Sequence, residues 1–206
     1  MPRGTLIRMH DDLTDDLIGT QAPAHRIGDP AEAIRVLERA VPGLVAYRRA
    51  EPAALGWAVP ESELGTALPA DFKLLAELYP TFVIGDFLSV ALPGPGAERG
   101  WADGVRDGLE TVIRDWWEGG MSIGLPPHPA PGGLLPWGES LHGDVFLWTT
   151  TGPGPDAWPV TVASRNGGWW HYEGGVVQFL AELLDGSLEA WGLPDIRTDD
   201  VAAPGR

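Results

Sequence analysis

GGLLPWGESLHGDVFLWTTTGPGPDAW, residues 132–158, is the stretch that decides the fold. Tryptophans recur at Trp137, Trp148 and Trp158 between turn-forming Gly, Pro and Asp. The apolar runs Gly133 to Trp137, Val145 to Thr150 and Trp158 to Ala163 are each closed by a Gly/Pro/Asp/His cluster. Short antiparallel strands and their turns are written in this way, so the stretch reads as a β-meander. Asn166-Gly167 is a strong hairpin signal between VTVASR and GWWHYE, which adds a further strand. Neighbouring residues of a strand point to opposite faces, so one of Trp169 and Trp170 must look outward or lie under a helix.

Outward from the meander the period changes from two to 3.6. VVQFLAELLDG places Val176, Phe179, Leu180, Leu183 and Leu184 on one helical face and stops at Gly186. Toward the N-terminus, LPADFKLLAELYP is a short amphipathic helix with Leu68, Phe72, Leu75 and Tyr79 on its stripe and Pro80 as its stop. A helical region begins near Pro60 with Glu61 and Glu63 at the positive end of its dipole, and runs to a turn at Pro69. Asp29 caps a helix that Pro30 opens. TFVIGDFLSVAL, from Thr81 to Leu92, reads as one strand interrupted or bulged at Gly85-Asp86. Val105, Leu109, Val112, Ile113 and Trp116 give a surface helix of about four turns. PPHPAPGG is an extended connector. Residues 1–30 read as a loosely ordered arm, 31–187 as the domain and 188–206 as a polar, fraying tail.

Composition bounds the function. The chain has 206 residues, enough for one sizeable core without a second domain. It holds no cysteine, which excludes disulfides, thiolate nucleophiles and Cys-based zinc sites. No apolar run is long enough to span a bilayer, and the first residues lack a signal-peptide core, so a cytoplasmic protein is expected. A net charge of −15, from 29 acids against 14 bases, makes direct nucleic-acid or membrane binding a poor reading. Such a surface speeds encounter with basic proteins, or serves solubility alone.

Chemistry is sparse. No P-loop, GxSxG, HExxH or EF-hand string occurs. His10 beside Asp11 and Asp12, and His142 near Asp144, are the His–carboxylate neighbours that could seed a metal or acid–base site. Turn and surface roles suit them better, with Asp144 organising a hairpin by bonding to turn amides. Glu63 and Asp71 read first as helix-start carboxylates. No cofactor or metal set is expected, and a hydrolase is the disfavoured alternative.

Read in order across residues 50–187, these motifs resemble the SUKH superfamily, and more narrowly its Smi/Knr branch of the actinobacterial type. Glu63, Leu64, Gly65, Leu68, Pro69, Asp71 and Phe72 match its acidic-LG and LP-x-D-[FY] words. Pro136, Trp137, Gly138, Gly143, Asp144, Trp148, Pro155, Asp156, Trp158 and Pro159 match its PWG…GD…W…PDxWPV block. Pro80 departs from the glycine that many members carry, and the helix near 99–118 is longer than the pattern. The resemblance implies an α+β fold, a single domain with helices packed on a twisted antiparallel β-sheet. It also implies a non-catalytic binding role, either toxin neutralisation by an immunity protein or a regulatory scaffold for another protein partner. A basic nuclease toxin would suit the acidic surface. The contact surface expected on this reading is Glu61, Glu63, Asp71 and Asp156 with the outward member of Trp169 and Trp170. Charge reversal at Glu61 and Glu63 is expected to leave the domain folded.

Overall fold

The tryptophan stretch folds as its spacing predicts. In the computed structural model, which describes residues 16–203, it supplies strands β4 (Leu134–Ser140), β5 (Val145–Thr149) and β6 (Val160–Ala163), and the Asn166-Gly167 turn leads into β7 (Gly168–Tyr172). Before them stand β2 (Phe82–Ile84) and β3 (Leu88–Val90). Each strand from β2 to β7 pairs antiparallel with the next, so chain order is spatial order across this part of the sheet. The expected single strand over 81–92 is instead a hairpin. Gly85 and Asp86 both take positive φ (63° and 50°), and Phe87 N donates to Ile84 O at 3.1 Å, the geometry of a type I′ turn. In β4 the register slips between Pro136 and Gly138, a bulge that accommodates a proline unable to donate to the ladder.

Both ends of the described chain close onto this meander. Strand β1 (Asp16–Gln21) lies parallel to β7, and β8 (Val201–Ala202) pairs antiparallel with β2. The sheet among the described residues is therefore eight-stranded and mixed, in the order β1-β7-β6-β5-β4-β3-β2-β8. This corrects the expected loose arm for residues 16–30 and the expected frayed tail for 188–203. Gln178 ties the arm, accepting from Ile27 N and donating to His25 O, both at 2.8 Å. In the tail, Trp191 meets Trp170 edge-on at 5.9 Å and its carbonyl accepts the Trp170 indole N–H. Further along, Val201 O accepts the Tyr47 hydroxyl. Residues 1–15, including His10, Asp11 and Asp12, lie outside the described residues.

The described residues form six helices around the sheet, giving a single-domain α+β fold. Helices α1 (Pro30–Ala40), α3 (Ala70–Leu78) and α6 (Val176–Asp185) cover one face. Asp29 caps α1 through Ala31 N, as its sequence predicts. The short α2 (Ala58–Leu64) stops earlier than expected, at left-handed Gly65, and packs on α4 (Glu98–Gly108). Helix α4 continues through a π-turn (Leu109–Ile113) into α5 (Arg114–Glu118), and this stretch covers part of the other face. On the α3/α6 side, Trp137, Trp148, Trp158 and Trp170 join Phe72, Phe146 and Phe179 in one aromatic cluster. Phe72 meets Trp148 edge-on at 5.1 Å. Aromatic pairs in such geometry add about 0.5–1.5 kcal/mol beyond the area they bury.

Candidate functional site

Two of the carboxylates singled out in the sequence meet at one place. The first turns of α1, α3 and α6 converge around a recess of about 110 Å³, lined among others by Arg26, Asp71, Trp148, Asp156 and Trp158. Each aspartate there serves a helix end. Helix α3 begins after Pro69, which has no side-chain acceptor, and Asp156 Oδ1 accepts from Ala70 N at 2.7 Å. Helix α6 begins after Gly175, which has no side chain, and Asp71 Oδ2 accepts from Val177 N at 3.0 Å. The other oxygen, Oδ1, accepts from Phe72 N at 2.8 Å. A Cβ at residue 175 would lie 2.5 Å from Asp71 Oδ2, so this approach requires glycine. Arg26 braces the loops by donating to the carbonyls of Asp156 (2.6 Å) and Glu173 (2.8 Å). Burial raises the Asp71 pKa, the two amide bonds oppose that shift, and repulsion from Asp156 adds to it. A buried acid beside a second carboxylate is the electrostatic pattern of an acid–base pair. Here both Asp71 oxygens are taken by backbone amides, and the recess is well below the roughly 300–1,000 Å³ of ligand pockets.

The remaining predicted contact residues also have internal partners. Glu61 Oε1 accepts from Leu68 N and from Lys73 Nζ, both at 3.0 Å. Glu63 pairs with Arg99 and Arg106, so it bridges α2 to α4. Of the two alternatives for Trp169 and Trp170, lying under a helix is the one found; both are buried, at 2% and 0% exposure, so neither is the outward contact residue expected. Trp170 belongs to the α3/α6 cluster, and Trp169 lies under α5, edge-on to Trp116 at 5.6 Å. Opposite orientation along the strand holds; helices cover both faces at this point. Asp144 is buried and accepts from Ser140 Oγ and from Arg165 N, which joins the β4–β5 turn to the β6–β7 turn. His142 packs on Phe87, and His128 Nε2 donates to Leu64 O. Among the described residues no group of three or more His, Asp or Glu side chains is placed to hold a metal ion.

A site that sequence reasoning missed lies between α4 and the sheet. A groove of about 310 Å³ runs beside Trp101, Val105 and Val112 on the helical side and Pro136, Gly138 and Val145 on the strands. Glu139 is the one charged side chain among its lining residues. Gly100, Gly104 and Gly108 also line it, spaced so that they share one helical face. A Cβ at Gly100 or Gly104 would meet nothing within 4 Å, and neither has positive φ, so nothing within the described fold requires glycine there. Each costs the helix about 1 kcal/mol relative to alanine. The four-residue spacing of these glycines is the signal the sequence carries, interleaved with the apolar stripe of the same helix.

No family model, no curated protein and no solved structure matches this chain. No helix among the described residues is long and apolar enough to cross a membrane.

Proposed function

We propose that this chain is a non-catalytic protein-binding domain of the SUKH-like, Smi/Knr type, acting as a cytoplasmic immunity protein that holds and neutralises a toxin domain. The observation that carries the reading is the open apolar groove on the glycine face of α4. Its walls are preformed, and the bare backbone at Gly100 and Gly104 admits a close-packed partner segment. A net charge of −15, with Glu139 in the groove and exposed Asp103 and Asp107 on the same helix, favours a basic partner and speeds its encounter. The two aspartates that could suggest acid–base catalysis are engaged at helix ends, which weighs toward binding.

The test is co-expression with the toxin encoded beside this chain's gene. The wild-type chain should restore growth and co-elute with the toxin, and Gly104→Arg, which fills the groove, should lose both while staying folded. Failure of the wild-type chain to rescue or bind would sink the immunity reading. Full rescue by Gly104→Arg would remove the groove from it.

A further inference from the structure

On the sheet face that carries α4 and α5, the rows under the helices are apolar, but beyond them the lining turns polar. Thr149 of β5, Thr161 of β6 and His171 of β7 form a hydrogen-bonded row. Thr149 Oγ1 lies 2.6 Å from Thr161 Oγ1, which lies 2.9 Å from His171 Nδ1. Thr20 of β1 stands in register with His171. Each hydroxyl has a single hydrogen, so the row can run in one of two directions. If Thr161 donated to Thr149, the Thr149 hydrogen would turn to solvent in the hollow that Thr149 also lines. The order Thr149 to Thr161 to His171 Nδ1 satisfies both hydroxyls and leaves the imidazole hydrogen on Nε2. Burial lowers the His171 pKa, in keeping with a neutral ring.

The row opens on a hollow of about 570 Å³, lined among others by Thr20, Arg26, Thr151, His171 and Glu173. Two backbone carbonyls hold the Arg26 guanidinium, and no carboxylate of the described residues lies within ion-pairing distance of it. In the Thr149 to Thr161 to His171 order the hollow combines a fixed cation, the His171 Nε2–H and hydroxyls with one exposed carboxylate, Glu173. A bare anion would be repelled by a chain of charge −15, whereas a zwitterion carries no net charge.

We propose that this hollow binds a free α-amino acid, its carboxylate on Arg26 and His171 Nε2–H and its ammonium on Glu173. The site is separate from the α4 groove and independent of the toxin-binding reading.

The test is titration of the full chain with the standard amino acids singly, with acetate and with methylammonium, read by calorimetry and by the His171 imidazole ¹⁵N shifts. At least one amino acid should saturate at millimolar or lower concentration, with acetate and methylammonium at least about tenfold weaker. Arg26→Gln should weaken binding about tenfold or more. Because Arg26 also braces two loops, Thr151→Val serves as a second variant, and it should weaken binding several-fold at an unchanged unfolding midpoint. The proposal is overturned if no amino acid gives a saturable His171 response below on the order of 20 mM. Acetate binding as tightly as the best amino acid, or full affinity in both variants, would overturn it equally.

Discussion

Asp71→Ala tests whether one side chain from α3 terminates α6. Val177 N would lose its acceptor at 3.0 Å, and Gly175 cannot replace it. Loss of a helix-capping side chain costs about 0.5–2 kcal/mol, and an unsatisfied buried amide costs about 1–3 kcal/mol. These ranges describe overlapping effects, and removing a buried carboxylate offsets part of the loss, so a net destabilisation of about 2 kcal/mol is expected. The pH dependence carries a distinct sign. Burial raises the folded pKa of Asp71, so the folded chain holds this proton more tightly than the unfolded chain. The side chain's contribution is thus fully present below its unfolded value and shrinks as pH rises through the folded one. The stability gap between wild type and Asp71→Ala should therefore widen between neutral pH and about pH 4. Urea unfolding followed by tryptophan fluorescence, run in parallel on both proteins across that range, measures it. Equal stability at pH 7 would refute the cap, and a gap that narrows on acidification would refute the raised pKa.

Trp169→Ala and Trp170→Ala should each cost about 3–5 kcal/mol in chemical denaturation, whereas an outward tryptophan would cost less than about 1 kcal/mol. Gly100→Ala with Gly104→Ala should stabilise the chain by about 1–2 kcal/mol, since both new methyls enter open space; a loss of stability would mean the helix needs its glycines. Glu63→Gln, which removes pairs with two well-exposed arginines, should shift stability by no more than about 1 kcal/mol. Glu61→Lys also strips Leu68 N of its acceptor and should cost about 1–2 kcal/mol, so charge reversal at Glu61 and Glu63 perturbs the fold as well as the surface.

Local chemistry was legible in the chain. Asp29-Pro30, Asn166-Gly167 and Gly186 each act within a few residues of themselves, and the structure places a helix start, a hairpin and a helix end there. Asp86 misled because a non-glycine residue took a left-handed conformation, which turned an apparent bulge into a hairpin. The edge strands were invisible for another reason. DLIGTQ and the Val201-Ala202 pair carry no alternation of their own and become strands by pairing with β7 and β2. Asp71 and Asp156 could be read as turn or helix-start carboxylates, but that each would cap a helix distant in sequence needs the assembled core. The α4 groove is likewise a product of packing, although its glycines were in plain view.

The sheet is a sequential ribbon closed at each edge by a strand from near the ends of the described chain. Closing a long loop adds little entropy beyond closing a short one, because the penalty grows only logarithmically with length. Each edge strand can therefore detach and return as a local event, leaving the central ribbon and its tryptophan cluster intact. Amide hydrogens of residues 16–21 and 201–202 should exchange well before those of β5 and β6. Release of β1 would bare the outer backbone of β7, next to His171, so the occupancy of the polar hollow and the opening of that edge would be thermodynamically linked.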